Sequence, residues 1–225
     1  FSGSTRGREV ETGGIVGLDR MIRSNKLTPE IITDYAKILL TNRLEVLLGV
    51  EGDFEQYKQI KAKYAQVISS AGKYYDMVIV DLEKMMSPET RNEILRISNL
   101  NVMVFSQKRA SVDKYRELRD ANKEVMGIKT IPVVGKYTNH SKYNVKNLTR
   151  YLDEKKEISI VPFNLLYFEA AEEAGVTDLF LRLKNIKDKT DENYIFMQDV
   201  LELMEKIIKK LQELQMKMRW KNDTN

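Results

Sequence analysis

The sequence predicts an α/β fold, a doubly wound, mainly parallel sheet flanked by helices, followed by a long C-terminal helix. Three observations carry that expectation. Short apolar runs such as Met77–Val80 are too brief for helices and are bounded by polar residues, as in strands buried on both faces of a parallel sheet. Five such runs, near 44–49, 76–81, 101–106, 130–135 and 158–161, alternate with helical periodicity at the spacing of βαβ units. Glu192–Trp220 then places Met197, Val200, Met204, Ile207, Leu211, Leu214 and Met218 at alternating three- and four-residue steps, the pattern of a heptad seam.

Phe1–Thr12 is rich in Gly, Ser and Arg without periodicity and reads as a flexible start; an initial Phe in place of Met reads as a processed or truncated piece. Gly13-Gly14-Ile15-Val16-Gly17-Leu18 invites comparison with a phosphate-binding loop. That loop needs a preceding strand and a Gly-Lys-Ser/Thr ending, whereas Leu18-Asp19 follows Gly17, so a turn into a helix is the reading adopted. Thr28-Pro29-Glu30 opens a helix whose stripe is Ile31, Ile32, Tyr35, Ile38 and Leu39. Leu44–Gly49 is the first expected strand, and Asp53-Phe54-Glu55-Gln56 resembles a capping box before a helix stopped at Gly72.

Tyr75–Val80 is expected to be an interior strand with Asp81 where it leaves the sheet, a position that suits an Mg²⁺ or water-positioning acid as well as a loop cap. Ser87-Pro88-Glu89-Thr90 begins the next helix, and Ser111 or Asp113 begins another that runs to Gly127. Pro132 suits the start of the strand Thr130–Val134 better than its centre. Lys136–Tyr143 is a polar loop with the only histidine, His140, read as solvated. Asn144 caps a short helix, Ile158–Val161 is the last strand, Leu165–Ala174 is helical to Gly175, and Asp178–Leu183 is a further turn. Lys184–Lys189 is a basic linker, dividing an α/β domain over 1–190 from a C-terminal amphipathic helix and tail over 191–225.

A chain of 225 residues, 42% hydrophobic and 31% charged, has the length and surface of a well-packed globular domain. Its net charge of +4 permits contact with nucleic acid or anionic lipid without arguing for either. The absence of cysteine excludes disulfides, thiol catalysis and Cys-ligated metal. No apolar run approaches the ~18 residues of a membrane span, and no signal-peptide core is present, so a cytoplasmic protein, or one peripheral to the membrane, is expected.

Tyr75-Asp76-Met77-Val78-Ile79-Val80-Asp81 resembles the Walker B strand of the ParA/MinD group of deviant-Walker P-loop ATPases, and in flavour the CpaE/TadZ branch. In that group Tyr-Asp, four apolar residues and Asp precede a switch loop and a Thr-containing helix, matched by Ser87-Pro88-Glu89-Thr90. Phe105-Ser106-Gln107 with Ala110-Ser111, and Pro162-Phe163-Asn164, match the ends of the following strands, and the similarity covers most of Gly14 to Gly175. The resemblance implies ATP and Mg²⁺ as cofactors, Asp81 as the catalytic and Mg²⁺-side acid, and Gln107, Pro162 and Phe163 as nucleotide-binding residues. It implies a nucleotide-dependent positioning or assembly factor that forms a homodimer and recruits protein partners.

The chain departs from that pattern in three places. No Gly-Lys-Ser/Thr occurs, Leu82-Glu83-Lys84-Met85-Met86 replaces the Pro-containing switch, and Gly135-Lys136 stands where the group has Asn-Arg. Either the P-loop lies upstream of Phe1 or it is degenerate, and the alternative function is a non-catalytic scaffold that keeps the fold for partner binding. Glu83 beside Asp81 reads as a second metal acid or as a solvated loop residue. Lys206, Lys209, Lys210, Lys217, Arg219 and Lys221 give the last helix a basic face, diluted by Glu202, Glu205 and Glu213. That face reads as solvated opposite a packed stripe, as a DNA contact, or as a membrane-surface helix inserting Met216, Met218 and Trp220.

Overall fold

The computed structural model of the chain describes residues 14–50, 63–82 and 86–223. Its contacts divide it into two compact units, Phe1–Ile97 and Ser98–Asn225.

In the first unit, helices α1 (Gly14–Arg23), α2 (Ile31–Tyr35), α3 (Tyr64–Ala71) and α4 (Pro88–Ile97) accompany a hairpin of β1 (Lys37–Leu40) and β2 (Leu44–Val46). Ile15, Leu18, Ile32, Val67 and Ala71 form its core. The expected turn into a helix at Gly14 is present, with Gly14 at φ +66°. A Cβ there would lie 2.7 Å from the Leu48 carbonyl oxygen, so both the dihedral and the close approach call for glycine. At α4 the backbone N–H of Thr90 donates to Ser87 Oγ at 3.4 Å, placing a Ser cap before Pro88 at the first helical position.

Three expectations fail in this unit. The helix opened by Thr28-Pro29 ends at Tyr35, and Ile38 and Leu39 belong instead to β1, which pairs antiparallel with β2 (Lys37↔Val46, Ile38↔Glu45). Asn42, at φ +57°, makes the left-handed turn between them. The run at 44–49 is therefore one arm of a hairpin rather than a strand of the parallel sheet. The run at 75–80, expected as an interior strand, joins no ladder among the described residues; Met77 and Val78 are exposed and Ile79 is 85% exposed. Apolar sequence favours an extended backbone, but a strand becomes interior only when hydrogen-bonded neighbours flank both its edges. The Tyr75 hydroxyl donates to the Glu45 carboxylate, and burial together with that acceptor raises the phenol pKa. The expected capping box at 53–56 lies outside the described residues.

The second unit contains β3 (Asn101–Phe105), α5 (Arg109–Ala121), α6 (Lys123–Met126), β4 (Thr130–Tyr137), α7 (Val145–Leu152) and β5 (Ser159–Pro162). Helices α8 (Leu165–Glu172), α9 (Val176–Leu183) and α10 (Glu192–Asp223) follow. The strands pair in parallel in the order β3-β4-β5, with Met103 opposite Pro132 and Val133 opposite Ser159. Because both crossovers step the same way and parallel crossovers are right-handed, α5 and α7 must share one face. Phe105, Val112, Tyr115, Val134, Leu148, Leu152 and Ile158 pack together there. The other face falls to the end of the chain, where Val161 of β5 packs with Leu179, Leu183, Phe196 and Met197 from α9 and α10.

The helix predicted from Ser111 begins two residues earlier. Ser111 is not its cap, since Ser111 Oγ accepts the Ser106 N–H at 3.0 Å and ties the loop after β3 to α5. Pro132 lies inside the middle strand, yet one residue before β5 pairing begins at Val133, so β4 is still an edge where the N–H is missing. Helix α10 spans the predicted segment and continues to Asp223. Of its heptad stripe, Met197 is buried and Val200, Ile207, Leu211 and Leu214 are half-buried, but Met204 is exposed and Leu203 takes its place. A straight helix advances 3.6 residues per turn, so a row set at 3.5 drifts off the contact face.

The best-buried acid among the described residues is Glu154, just past α7. It accepts from the Tyr115 hydroxyl at 2.7 Å, from Arg119 Nη1 at 3.3 Å and from the Lys156 N–H at 3.2 Å. Burial works to raise its pKa, but these donors outweigh burial and hold the carboxyl below its ordinary value. A depressed carboxyl pKa adds stability above its unfolded value, ~4.3, and loses it as pH falls through the folded value. Glu154→Gln, which imitates the protonated acid, should lower the melting temperature at pH ~7 and lose that deficit toward pH ~3. Thr130 Oγ1 and Asn101 Nδ2 are buried without a hydrogen-bond partner. Thr130→Val keeps the shape and removes the orphaned hydroxyl, and should stabilise the chain by ~1 kcal/mol in denaturant titration.

Candidate functional site

The parallel register brings the carboxyl ends of three strands to one edge, where open α/β sheets collect ligands. Gln107 follows β3, Thr138 follows β4, and Pro162 with Phe163 closes β5. Three of the four residues singled out from sequence, Gln107, Pro162 and Phe163, thus share this edge. Asp81 belongs to the first unit, where it is exposed at the end of the extended segment 77–82.

The side chain of Gln107 is spent on backbone. Its Nε2 donates to the carbonyls of Thr138 at 3.1 Å and Tyr143 at 2.9 Å, and its Oε1 accepts the Thr138 N–H at 2.8 Å. A carboxamide has two donors and one acceptor oxygen, so both ends are engaged in pinning loop 138–143 to the end of β3. His140 sits exposed in that loop, in line with its solvated reading.

Pro162 is paired with Tyr137, and the Phe163 N–H donates to the Tyr137 carbonyl at 2.9 Å, extending the ladder by one bond. The Phe163 ring is 52% exposed and lies 6.4 Å from the ring of Phe168. Asn164 starts α8 by accepting the Tyr167 N–H at 2.8 Å, and its amide donates to Asn193 Oδ1 at 2.8 Å. The helix so fixed buries none of its residues, leaving Leu165, Leu166 and Phe168 exposed beside Phe163. Lys136, held at φ +53°, sets its ammonium 5.7 Å from the Phe168 ring centroid, a cation–π arrangement. This apolar shelf with one cation was not expected; its only sequence signal was the unbroken Leu165-Leu166-Tyr167-Phe168, which a helix cannot bury on one side.

Nucleotide and Mg²⁺ make definite demands, and the described residues do not fit them. Phosphate needs converging backbone N–H groups and a lysine, whereas the Ile15 N–H at the start of α1 already donates to the Leu48 carbonyl at 2.9 Å. That carbonyl oxygen presses on Gly14, putting an acceptor where an anion would need donors. Among the described residues no group of three or more His, Asp or Glu side chains could hold a metal ion with Asp81, and Glu83 lies outside them. A cleft of about 210 Å³ lined by Arg109, Val112, Tyr143 and Tyr151 is smaller than the ~300 Å³ of ordinary ligand sites. No helix among the described residues is long and apolar enough to cross a membrane.

Among solved structures, the chain is similar to a ParA family ATPase from Chlorobium tepidum TLS. The TM-score is 0.63 at 14% identity, over 75% of this chain and 69% of that one. At that identity the likeness shows a distant ParA-like α/β fold. No protein-family model matches the chain, and no curated protein does.

Gln107→Ala removes the acceptor of the Thr138 amide. Hydrogen exchange at Thr138 should accelerate by ~10-fold or more, with amides in the middle of β4 unchanged.

Proposed function

We propose that this chain supplies the ParA-like α/β part of a positioning or assembly factor, and that it works by holding protein partners rather than by hydrolysing ATP on its own residues. The fold is read as doubly wound, on the CpaE/TadZ side of the group, with the α/β domain over 1–190. The observation that carries the proposal is the character of the carboxyl edge. It offers Phe163, Leu165, Leu166 and Phe168 to solvent, while Gln107 is used up inside the protein. Exposed aromatic and aliphatic side chains clustered beside a single cation suit a protein surface, since aromatic anchors dominate protein interfaces. Polyphosphate recognition needs the reverse composition, several backbone N–H groups and fixed cations.

A second reading rests on Asp81. It is exposed at the end of the segment that resembles a Walker B strand, and could serve Mg²⁺ if phosphates were brought to it by residues outside these 225. The two readings separate on nucleotide affinity. Calorimetric titration of the 225-residue chain with ATP·Mg²⁺ should show no binding tighter than ~1 mM, and Asp81→Ala should leave that result unchanged. Micromolar binding abolished by Asp81→Ala would overturn the scaffold reading.

A further inference from the structure

A cleft of about 210 Å³ opens where α5 meets α7 and the loop before α7. Val112 is its buried floor, Tyr143 and Tyr151 are its walls, and Arg109, with a side chain 74% exposed, stands at its mouth. The surface of the cleft is mainly apolar. It is too small for a nucleotide, but an apolar cavity of ~150 Å³ already takes a benzene ring. There is room for one ring and a short substituent.

The walls are held by hydrogen bonds that a ligand need not make. The Tyr151 hydroxyl donates to Asp113 Oδ1 at 2.6 Å, tying α7 to α5. The Tyr143 carbonyl accepts from Gln107 Nε2 at 2.9 Å, and the Lys142 carbonyl accepts from Asn147 Nδ2 at 2.7 Å. A site built before its ligand arrives loses less conformational freedom on binding. Arg116 lies over the Tyr151 ring, its Cζ 4.9 Å from the centroid, and the Lys142 ammonium lies 5.3 Å from the centroid of Tyr143. Neither cation lines the cleft, so each takes an outer side of its ring and leaves the inner side as apolar wall.

The mouth is electropositive, because Arg109, Arg116 and Lys142 surround it and Asp113 answers them with a single charge. Arg109 Nε is 3.7 Å from Asp113 Oδ2, beyond hydrogen-bond length, and Arg109 makes no hydrogen bond among the described residues. Its planar fork can therefore take a carboxylate in the bidentate geometry that a guanidinium prefers. Asp113 disfavours phosphate, since a dianion meets roughly twice the repulsion that a carboxylate does. Aromatic walls favour a ring over an aliphatic chain, because rings gain from stacked or edge-to-face contact beyond the area they bury.

We propose that this cleft binds an aryl carboxylate, with one aromatic ring between Tyr143 and Tyr151 and its carboxylate on Arg109. A free aromatic acid and the C-terminal residue of a peptide ending in Phe carry the same chemistry. The site goes beyond the partner-holding role assigned above and does not depend on it, since Phe163, Leu165, Leu166 and Phe168 take no part in the cleft.

The test titrates the isotope-labelled full chain with phenylacetate, phenylacetamide, acetate, AMP and the peptide Gly-Gly-Phe, following the amide resonances of Val112, Tyr143 and Tyr151. Phenylacetate should shift them with a Kd of ~1 mM. Phenylacetamide, which keeps the ring and loses the charge, should bind ~10-fold more weakly. Arg109→Ala, at an exposed position, should weaken phenylacetate by ~10-fold and leave phenylacetamide unchanged, a split that misfolding does not produce. Tighter binding of Gly-Gly-Phe than of phenylacetate supports the proposal with a chain end as the source; the reverse order supports it with a free acid. No saturation at ~10 mM phenylacetate overturns the proposal, as does an Arg109→Ala variant that binds it unchanged. Acetate shifting the same amides equally overturns it in favour of an adventitious anion, and AMP binding tighter than either carboxylate overturns it in favour of phosphate.

Discussion

A parallel strand hydrogen-bonded on both edges must be covered on both faces, and β4 imposes that constraint on the second unit. Ile131, Pro132, Val133 and Val134 are all buried, so neither side of the strand can be left to water. Strand order then dictates which part of the chain covers what. The sequential order β3-β4-β5 sends both crossover helices to one face and leaves the other without cover from the strand connections. Within this unit only chain beyond β5 can add cover on that side, and at β5 it does so, where Val161 packs with α9 and α10. The long C-terminal helix is thus a structural layer of the sheet before it is anything else, and the Lys206–Glu157 and Lys206–Ser159 contacts lock its rotation.

The same register produces the carboxyl edge that is the candidate site. Three strand ends in step place Gln107, Thr138 and Pro162 side by side, where their backbone groups would be left unpaired. The chain satisfies them internally, with the Gln107 carboxamide bridging β3 to the loop after β4 and the Phe163 N–H extending the ladder. Once these polar groups are used, apolar side chains and the ammonium of Lys136 remain to face outward. An edge that has met its own hydrogen-bonding needs is better suited to a protein surface than to a polar cofactor.

The first unit follows a different logic. Its ladder is the antiparallel hairpin β1–β2, and its core forms where α1, α2 and α3 bury Ile15, Leu18, Ile32, Val67 and Ala71. Gly14 shows how local chemistry redirects a motif. A glycine cluster ahead of a helix looks like an anion site, but the Leu48 carbonyl has taken the first helical N–H, so the glycine serves close packing instead.

By itself, the sequence determined the features that depend on near neighbours. The strands near 101, 130 and 158, the helix start at Ser87-Pro88, the cap at Asn144 and the span of α10 were all legible, because apolar period and capping chemistry act over a few residues. The shared edge for Gln107, Pro162 and Phe163 came from resemblance, and it too follows local strand ends. Tertiary structure alone decided the rest. An apolar run at 75–80 has the composition of an interior strand whether or not another edge meets it, and no ladder among the described residues does. Residues 37–46 became a hairpin because Asn42 adopts the left-handed turn that lets two weakly patterned runs pair. The Gln107 carboxamide is consumed by carbonyls more than thirty residues away, and Leu203 displaces Met204 because the sheet, not the heptad, sets the contact face. Pairing, rotation and hydrogen-bond occupancy are relations between distant segments, and residue order along the chain does not carry them.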